Sequence, residues 1–436
     1  MKLELPRGMR DLDSEEFENI NFLKEKFLET TRLFNFKFVE PSPIELVSTL
    51  EAKAGESISN DIYSFTDKGN RKVALRFDLT IGLSRFVTGR RDLRMPSKIA
   101  SFAGVWRYDE PQSARYRYFH QWDVEIYGSS HHEADAEIVE FISVFLKKLG
   151  LNVLIEVNDR QLVEEYLRTR LDISNEQTIL EMFRAIDKVP KKGVQAVQEE
   201  YKDRLDPSNL QRLIELSGNA GTVDTLYSIP GVKELTNWNK LVMLMDSLKT
   251  RKVRNVRINL GIVRGLDYYS GTVFEVFDPR LAEIGALVGG GRYDKLTEAF
   301  GRKDIEAVGA AGGVERIIIA LQKHGILKEF KQQQEKQRKI IYVAYISDNA
   351  KSSALEVVST LRNNGIIADY DIQGRSLRKQ LEDADSKHAI FTILVSEQEF
   401  KHGQIIVRSM NDGKEQKQAI TELVVSLKEK LEVSSL

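Results

Sequence analysis

Cysteine is absent from all 436 residues. That excludes a disulfide framework, a thiolate metal site and a cysteine nucleophile, and it fits a reducing compartment. No apolar run approaches membrane-spanning length, and the start MKLELPRGMRDLDSEEF has no signal-peptide core. The expectation is therefore a cytoplasmic protein with no membrane partner. An excess of one charge is missing too: 64 basic against 65 acidic residues leave a net charge of -1. This argues against a chain basic throughout, although a local basic groove would be hidden in the average. The six histidines show no metal-ligand spacing, and no Ser-His-Asp order stands out. The Gly-rich pieces ALVGGGRYDKL and EAVGAAGGVERIII lack both the lysine of a Walker loop and the spacing of a dinucleotide fold.

What is present is a soluble composition, 42% hydrophobic and 30% charged, in a chain long enough for two to four domains. Residues 105–128, VWRYDEPQSARYRYFHQWDVEIYG, hold three arginines and two of the three tryptophans. They read as a hairpin: Phe102 to Tyr108 runs in, Asp109 to Arg117 turns, and Tyr118 to Tyr127 returns with strict alternation. Gln121, Asp123 and Glu125 then share one side, and His120, Trp122, Val124 and Ile126 the other. The apolar side is core. The polar side is either a solvent face or the floor of a pocket, and the strand alone does not decide.

Around this hairpin the pattern predicts a mixed α+β chain. A helix begins at Asp13, with Glu16 completing a capping box and Phe17, Ile20, Leu23 and Phe27 on one stripe, and ends near Phe34. In FKFVEPSPIEL, Pro41 and Pro43 favour an edge strand or an extended arm. Ile62 to Thr66 and Lys72 to Thr80 form a second hairpin around Asp67-Lys68-Gly69-Asn70, with Arg76, Asp78 and Thr80 on its polar face. A helix then runs from near Thr80 to about Thr88, another from about Glu133 to Leu149, and the strand LNVLIEV closes residues 1–160. Residues 161–250 change to helical spacing, with Asp206-Pro207 an apt start and Gly218 a stop. The basic runs Lys188 to Lys192 and Lys249 to Arg257 suit solvated faces and RNA contacts equally. Strands return in 251–327. Residues 328–338 are a linker or polar helical tether, and 339–436 form a separate α/β domain with a mostly parallel sheet and a hairpin turning at Asn411-Asp412-Gly413.

The recurring theme is an arginine beside aromatics and acids: Arg107, Arg115, Arg264, Arg292 and Arg316. Arg316 stands in the first turn of the helix GVERIIIAL, where the macrodipole disfavours a cation. It either curls back to a carboxylate or reaches an anion at the helix mouth. Several arginines converging on antiparallel strands suit a polyphosphate. Attack of a carboxylate on the α-phosphorus of ATP needs little else, because the nucleophile is already ionised at neutral pH. What remains is alignment and stabilisation of charge on the phosphoryl oxygens.

These residues resemble a known family. Arg107-Tyr108-Asp109-Glu110 through Arg115-Tyr116-Arg117-Tyr118-Phe119-His120-Gln121 is similar to the second signature of class II aminoacyl-tRNA synthetases, GAAGGVERIII to the third, and FKFVEPSPIEL to the first, dimer-forming one. RGLDYYSG, GGGRYD and the opening PRGMRDL resemble segments particular to histidyl-tRNA synthetases. The resemblance implies an antiparallel-sheet catalytic domain with a helical insertion, followed by an α/β anticodon-binding domain. It also implies a homodimer that uses ATP with Mg2+, L-histidine and the tRNA for histidine. By the same resemblance Arg107, a catalytic residue, would hold the α-phosphate of ATP, Arg115 would also bind ATP, and Arg316 would lie against the adenine and reach the γ-phosphate, with no protein metal site beyond the Mg2+ that accompanies ATP. Arg264 would be the catalytic arginine, contacting the substrate carboxylate and the α-phosphate. Asp78, Thr80 and Gln121 would bind the substrate amino group, Glu125 and Tyr269 the imidazole, and Tyr268 and Tyr293 would line the pocket. Phe77-Asp78-Leu79-Thr80, where bacterial members usually have Pro-Glu-Gly-Thr, resembles the archaeal and eukaryotic branch, and Ser113-Ala114 replaces the usual Lys-Gly. The nearest alternative is a silent relative, the regulatory subunit of ATP phosphoribosyltransferase, which lacks the C-terminal domain.

Overall fold

The alternating stretch Tyr118–Tyr127 is a single strand, the third of nine in a large sheet. The computed structural model describes residues 3–54, 58, 60–108, 116–263 and 269–433. They divide into two compact units, residues 1–324 and 325–436.

The strands of the first unit are β1 (Lys37–Phe38), β2 (Ile44–Leu46), β3 (Ser64–Thr66), β4 (Lys72–Leu75), β5 (Ser97–Trp106), β6 (Tyr118–Tyr127), β7 (Leu154–Asp159), β8 (Ala220–Gly221), β9 (Val256–Asn259), β10 (Thr272–Phe277), β11 (Val288–Arg292) and β12 (Ala307–Gly313). Nine of them form one sheet in the order β1-β5-β6-β12-β11-β10-β7-β9-β8. Pairing is antiparallel from β5 through to β7 and parallel only where β1 meets β5 and β7 meets β9. β2, β4 and β3 make a small sheet beside it.

One face of the large sheet is covered by helices. Asp13 caps the helix Ser14–Leu33 by accepting from the Glu16 amide at 2.8 Å. The Glu16 carboxylate does not complete the box reciprocally; it pairs with Arg10. Phe17, expected on the apolar stripe, is 57% exposed, whereas Ile20, Leu23 and Phe27 are buried. Phe27 meets Phe102, Trp122, Phe141 and Phe145, which joins this helix, β5, β6 and the helix His132–Lys148 into one aromatic core. The opposite face of β6, with Gln121, Asp123 and Glu125, is buried as well, so that row is not a solvent face.

β4 stops at Leu75, short of the strand expected to reach Thr80. Arg76 explains the break: its buried guanidinium donates to the carbonyls of Gly104 at 2.8 Å and Pro41 at 2.5 Å, and reaches Glu40 at 3.1 Å. The chain turns there and enters the helix Thr80–Thr88.

Residues 160–250 are mostly helical, from Arg160–Arg170 to Trp238–Thr250, and Asp206 caps the helix Pro207–Ser217. Arg251 ties this segment to the helix His132–Lys148 by donating to Glu133, Glu137 and Glu140 at 2.6, 3.1 and 2.6 Å. Lys188 and Lys192 both pair with Glu200. Much of the two basic runs is thus engaged within the fold.

The second unit begins with the helix Ile326–Gln337, which contains most of the polar tether. Its sheet consists of β13 (Ile341–Tyr345), β14 (Ala368–Tyr370), β15 (Phe391–Val395), β16 (Gln404–Ser409) and β17 (Glu415–Ala419), in the order β14-β13-β15-β16-β17. β13 is parallel to both neighbours, and β16 and β17 run antiparallel. No helix among the described residues is long and apolar enough to cross a membrane.

Candidate active site

β6 supplies the floor of the site because period two sends Gln121, Asp123 and Glu125 to one side of the sheet. Asp123 is wholly buried and Glu125 1% exposed. Buried carboxylates require donors, and the neighbouring segments provide them. Thr80 Oγ1 donates to Asp123 Oδ2 at 2.9 Å, and Gln121 Nε2 donates to Asp123 Oδ1 at 2.8 Å. Asp78 accepts from the Ile81 amide at 3.1 Å, which fixes it at the start of the helix Thr80–Thr88. The turn forced by Arg76 therefore delivers Asp78 and Thr80 onto the β6 floor.

Arg107 enters the same group. Its Nε donates to the Phe77 carbonyl at 3.0 Å, its Nη2 reaches Gln121 Oε1 at 3.4 Å, and its guanidinium lies 5.1 Å from the centre of the Phe119 ring.

At the other end of the floor Tyr293 Oη donates to Glu125 Oε2 at 2.5 Å and lies 3.5 Å from Tyr127 Oη, which is 3.2 Å from Ser84 Oγ. Burial, and next the charge of Glu125, push the Tyr293 and Tyr127 phenols well above their usual range, so both remain hydroxyls at physiological pH. Gly309 of β12 faces Glu125 across the sheet. A Cβ there would lie 1.3 Å from Glu125 Oε2, so only glycine leaves the carboxylate its place.

Arg316 occupies the first turn of the helix Val314–Lys323 and donates to the Ala286 carbonyl at 2.7 Å. Its neighbour Glu315 turns the other way, accepting from the His120 amide and lying 3.0 Å from His120 Nδ1, which locks the helix start to β6. Arg292 is buried in an ion pair with Asp135 at 2.7 Å and also donates to the Ser129 carbonyl at 2.7 Å, the bonds of a strut.

The structure thus joins Thr80, Gln121 and Arg107 through Asp123 in one hydrogen-bonded network, with Asp78 two residues before Thr80 and bonded to the Ile81 amide, and joins Glu125 with Tyr293 toward the far end of the same strand. Tyr269 is buried in the apolar cluster that holds Tyr127 and Tyr293. Arg115, Arg264 and Tyr268 lie outside the described residues. Sequence reasoning put Asp123 on the polar face but gave it no part; its two partners, remote or trivial in sequence, become visible only in the fold. Among the described residues no cluster of three or more His, Cys, Asp or Glu is arranged to hold a metal ion.

Residues 8–317 match the family model described as histidyl-tRNA synthetase, and residues 340–430 match the anticodon binding domain. A histidine–tRNA ligase of Pyrococcus furiosus is 32% identical over 98% of this chain and 99% of its own length. One from Thermococcus kodakarensis is 33% identical over 97% and 98%. Among solved structures, the histidyl-tRNA synthetase of a Nostoc species superposes with a TM-score of 0.78 at 23% identity, covering 99% of this chain and all of that one.

Proposed function

The chain belongs to the histidyl-tRNA synthetase family, and from that membership we propose that it activates L-histidine with ATP and transfers it to the 3′ end of its tRNA. The observation that carries the reading is the continuous buried floor of β6: acceptors for an ammonium at Thr80 and Gln121, a carboxylate for an imidazole at Glu125, and a guanidinium at Arg107 beside them.

On this reading Asp78, Thr80 and Gln121 receive the amino group, and Glu125 accepts from one imidazole nitrogen, with Tyr269 assigned to the other and Tyr268 and Tyr293 lining the pocket. The substrate carboxylate attacks the α-phosphorus and pyrophosphate leaves. Arg107 and Arg264 stabilise the charge on the α-phosphoryl oxygens, Arg316 holds the adenine and γ-phosphate, and Arg115 assists ATP. Mg2+ would arrive on the phosphates and neutralise part of their charge. No general base is required, because the nucleophile is already anionic. A pocket built around these hydrogen bonds rejects apolar amino acids by leaving its own polar groups unpaired, worth ~10⁴ in discrimination.

Residues 340–430 would read unstacked anticodon bases against the sheet and loops of the second unit. Exposed Ile346 and Ile372, just beyond β13 and β14, offer apolar surface to a base. The match to that domain favours a ligase over the silent regulatory relatives. The reading includes a cytoplasmic homodimer. Its interface is assigned to the small sheet, where Ile44 and Leu46 pair with Leu75 and Val73, and Phe65 pairs with the same Val73. Ile44, Leu46 and Phe65 on that face are 44%, 46% and 48% exposed, an apolar surface of the kind a partner covers.

Pyrophosphate exchange into ATP, run with each amino acid in turn, tests the reading. Exchange with histidine alone is expected; exchange with none would leave a silent relative.

A further inference from the structure

We infer that Asp123 is a positioning residue that sets the polarity of the amino-group subsite. The inference rests on the proposed assignment of Thr80 and Gln121 to the substrate ammonium and adds the residue that makes them acceptors.

A threonine hydroxyl and a glutamine amide are ambiguous recognition groups, since each both donates and accepts. Asp123 removes the ambiguity. As a carboxylate it offers acceptors alone, and it takes one hydrogen from each neighbour: Thr80 Oγ1 at 2.9 Å on Oδ2 and Gln121 Nε2 at 2.8 Å on Oδ1. The single hydroxyl hydrogen of Thr80 is then committed, so what Thr80 shows a ligand is lone pairs. The Gln121 amide is oriented likewise, with Oε1 turned to the side where Arg107 Nη2 approaches at 3.4 Å. That carbonyl oxygen has a second lone pair. Both side chains therefore present acceptors, the complement of an ammonium and the wrong sign for a carboxylate.

Burial makes the arrangement stiff. Asp123 is wholly buried, and its strand neighbours Ser101 on β5 and Ala311 on β12 share its row. Ser101 does not compete for the carboxylate, because its buried hydroxyl has no hydrogen-bond partner. Thr80 comes from the turn 43 residues upstream, so the carboxylate also pins the helix Thr80–Thr88 to the floor.

The test compares histidine with its des-amino analogue, imidazolepropionate, binding to the full chain by calorimetry. In the unchanged protein histidine binds the tighter of the two. Asp123→Asn presents an amide hydrogen where Thr80 or Gln121 needs an acceptor, and one of them must turn. Histidine binding is expected to weaken about tenfold or more, while the analogue shifts less than about threefold. Asp123→Ser, which keeps one acceptor and a smaller side chain, is expected to show the same selective loss to a lesser degree and carries the test if the Asn variant does not fold. Equal weakening of both ligands would reduce Asp123 to a structural residue and overturn the inference. If the unchanged protein fails to distinguish the two ligands, the assignment of Thr80 and Gln121 to the amino group falls instead.

Discussion

The Tyr293 hydroxyl donates to Glu125 Oε2 at 2.5 Å, and both side chains are buried. The two lie 168 positions apart in the chain, and the bond fixes one oxygen of the carboxylate assigned to imidazole recognition.

Tyr293→Phe removes that donor from a buried acid. A hydrogen bond to a charged group contributes about 1.5–3 kcal/mol, so kcat/KM for histidine in pyrophosphate exchange should fall roughly 10- to 150-fold. Because burial keeps the Tyr293 and Tyr127 phenols protonated far above pH 7, neither should contribute an alkaline limb to the unchanged protein's pH profile below about pH 9. A variant as active as the original would remove Tyr293 from the site.

Gly309→Ala separates packing of the site from packing of the fold. The added methyl would stand 1.3 Å from Glu125 Oε2 and 2.8 Å from the Val124 carbonyl, so the carboxylate must swing away. Displacement of a recognition group by an ångström costs about a hundredfold. Histidine activation should drop by that order, with far-ultraviolet circular dichroism unchanged.

Burial pushes the Asp159 carboxyl from 3.8 up to about 6, against the hydrogen bond from the Gln161 amide and the charge of Lys240. An acid raised on folding is disfavoured in its ionised form. Its penalty is therefore absent below the unfolded value, grows as pH climbs through about 4 to 6, and is constant above. Asp159→Asn keeps a capping side chain at the helix Arg160–Arg170 and should raise stability by about 3 kcal/mol at pH 8. Urea unfolding should show the gain shrinking toward about pH 4; a gain independent of pH would contradict it.

Leu46→Asp places a charge on the apolar face of the small sheet. Sedimentation velocity should show the protein shifting from dimer to monomer at micromolar concentration, with the unfolding midpoint becoming less dependent on concentration. An unaltered sedimentation coefficient would move the interface elsewhere.

Much of this was legible before any coordinates. Tyr118–Tyr127 has a period no other element mimics, and Asp13, Asp206 and Gly218 mark helix ends through local chemistry alone. Phe17 misled because a stripe records spacing and not how far the covering sheet extends. The strand expected to continue to Thr80 ends at Leu75 because Arg76 is drawn to carbonyls 28 and 35 residues away, a pull with no local signature. The polar face of β6 was visible as a face, but whether it met water or a pocket depended on the Asp78–Thr80 turn and on Tyr293. Pairings across such separations leave no trace in periodicity.

Gly309 and Glu125 face one another on adjacent strands, and one is small because the other is long. On the proposed assignment of Glu125 to the imidazole, amino-acid choice is therefore written across two strands at once. A lineage that shortened position 125 would release position 309 to drift, whereas one that enlarged position 309 first would lose its substrate before gaining another. Any redesign toward a different side chain has to begin by changing the pair together.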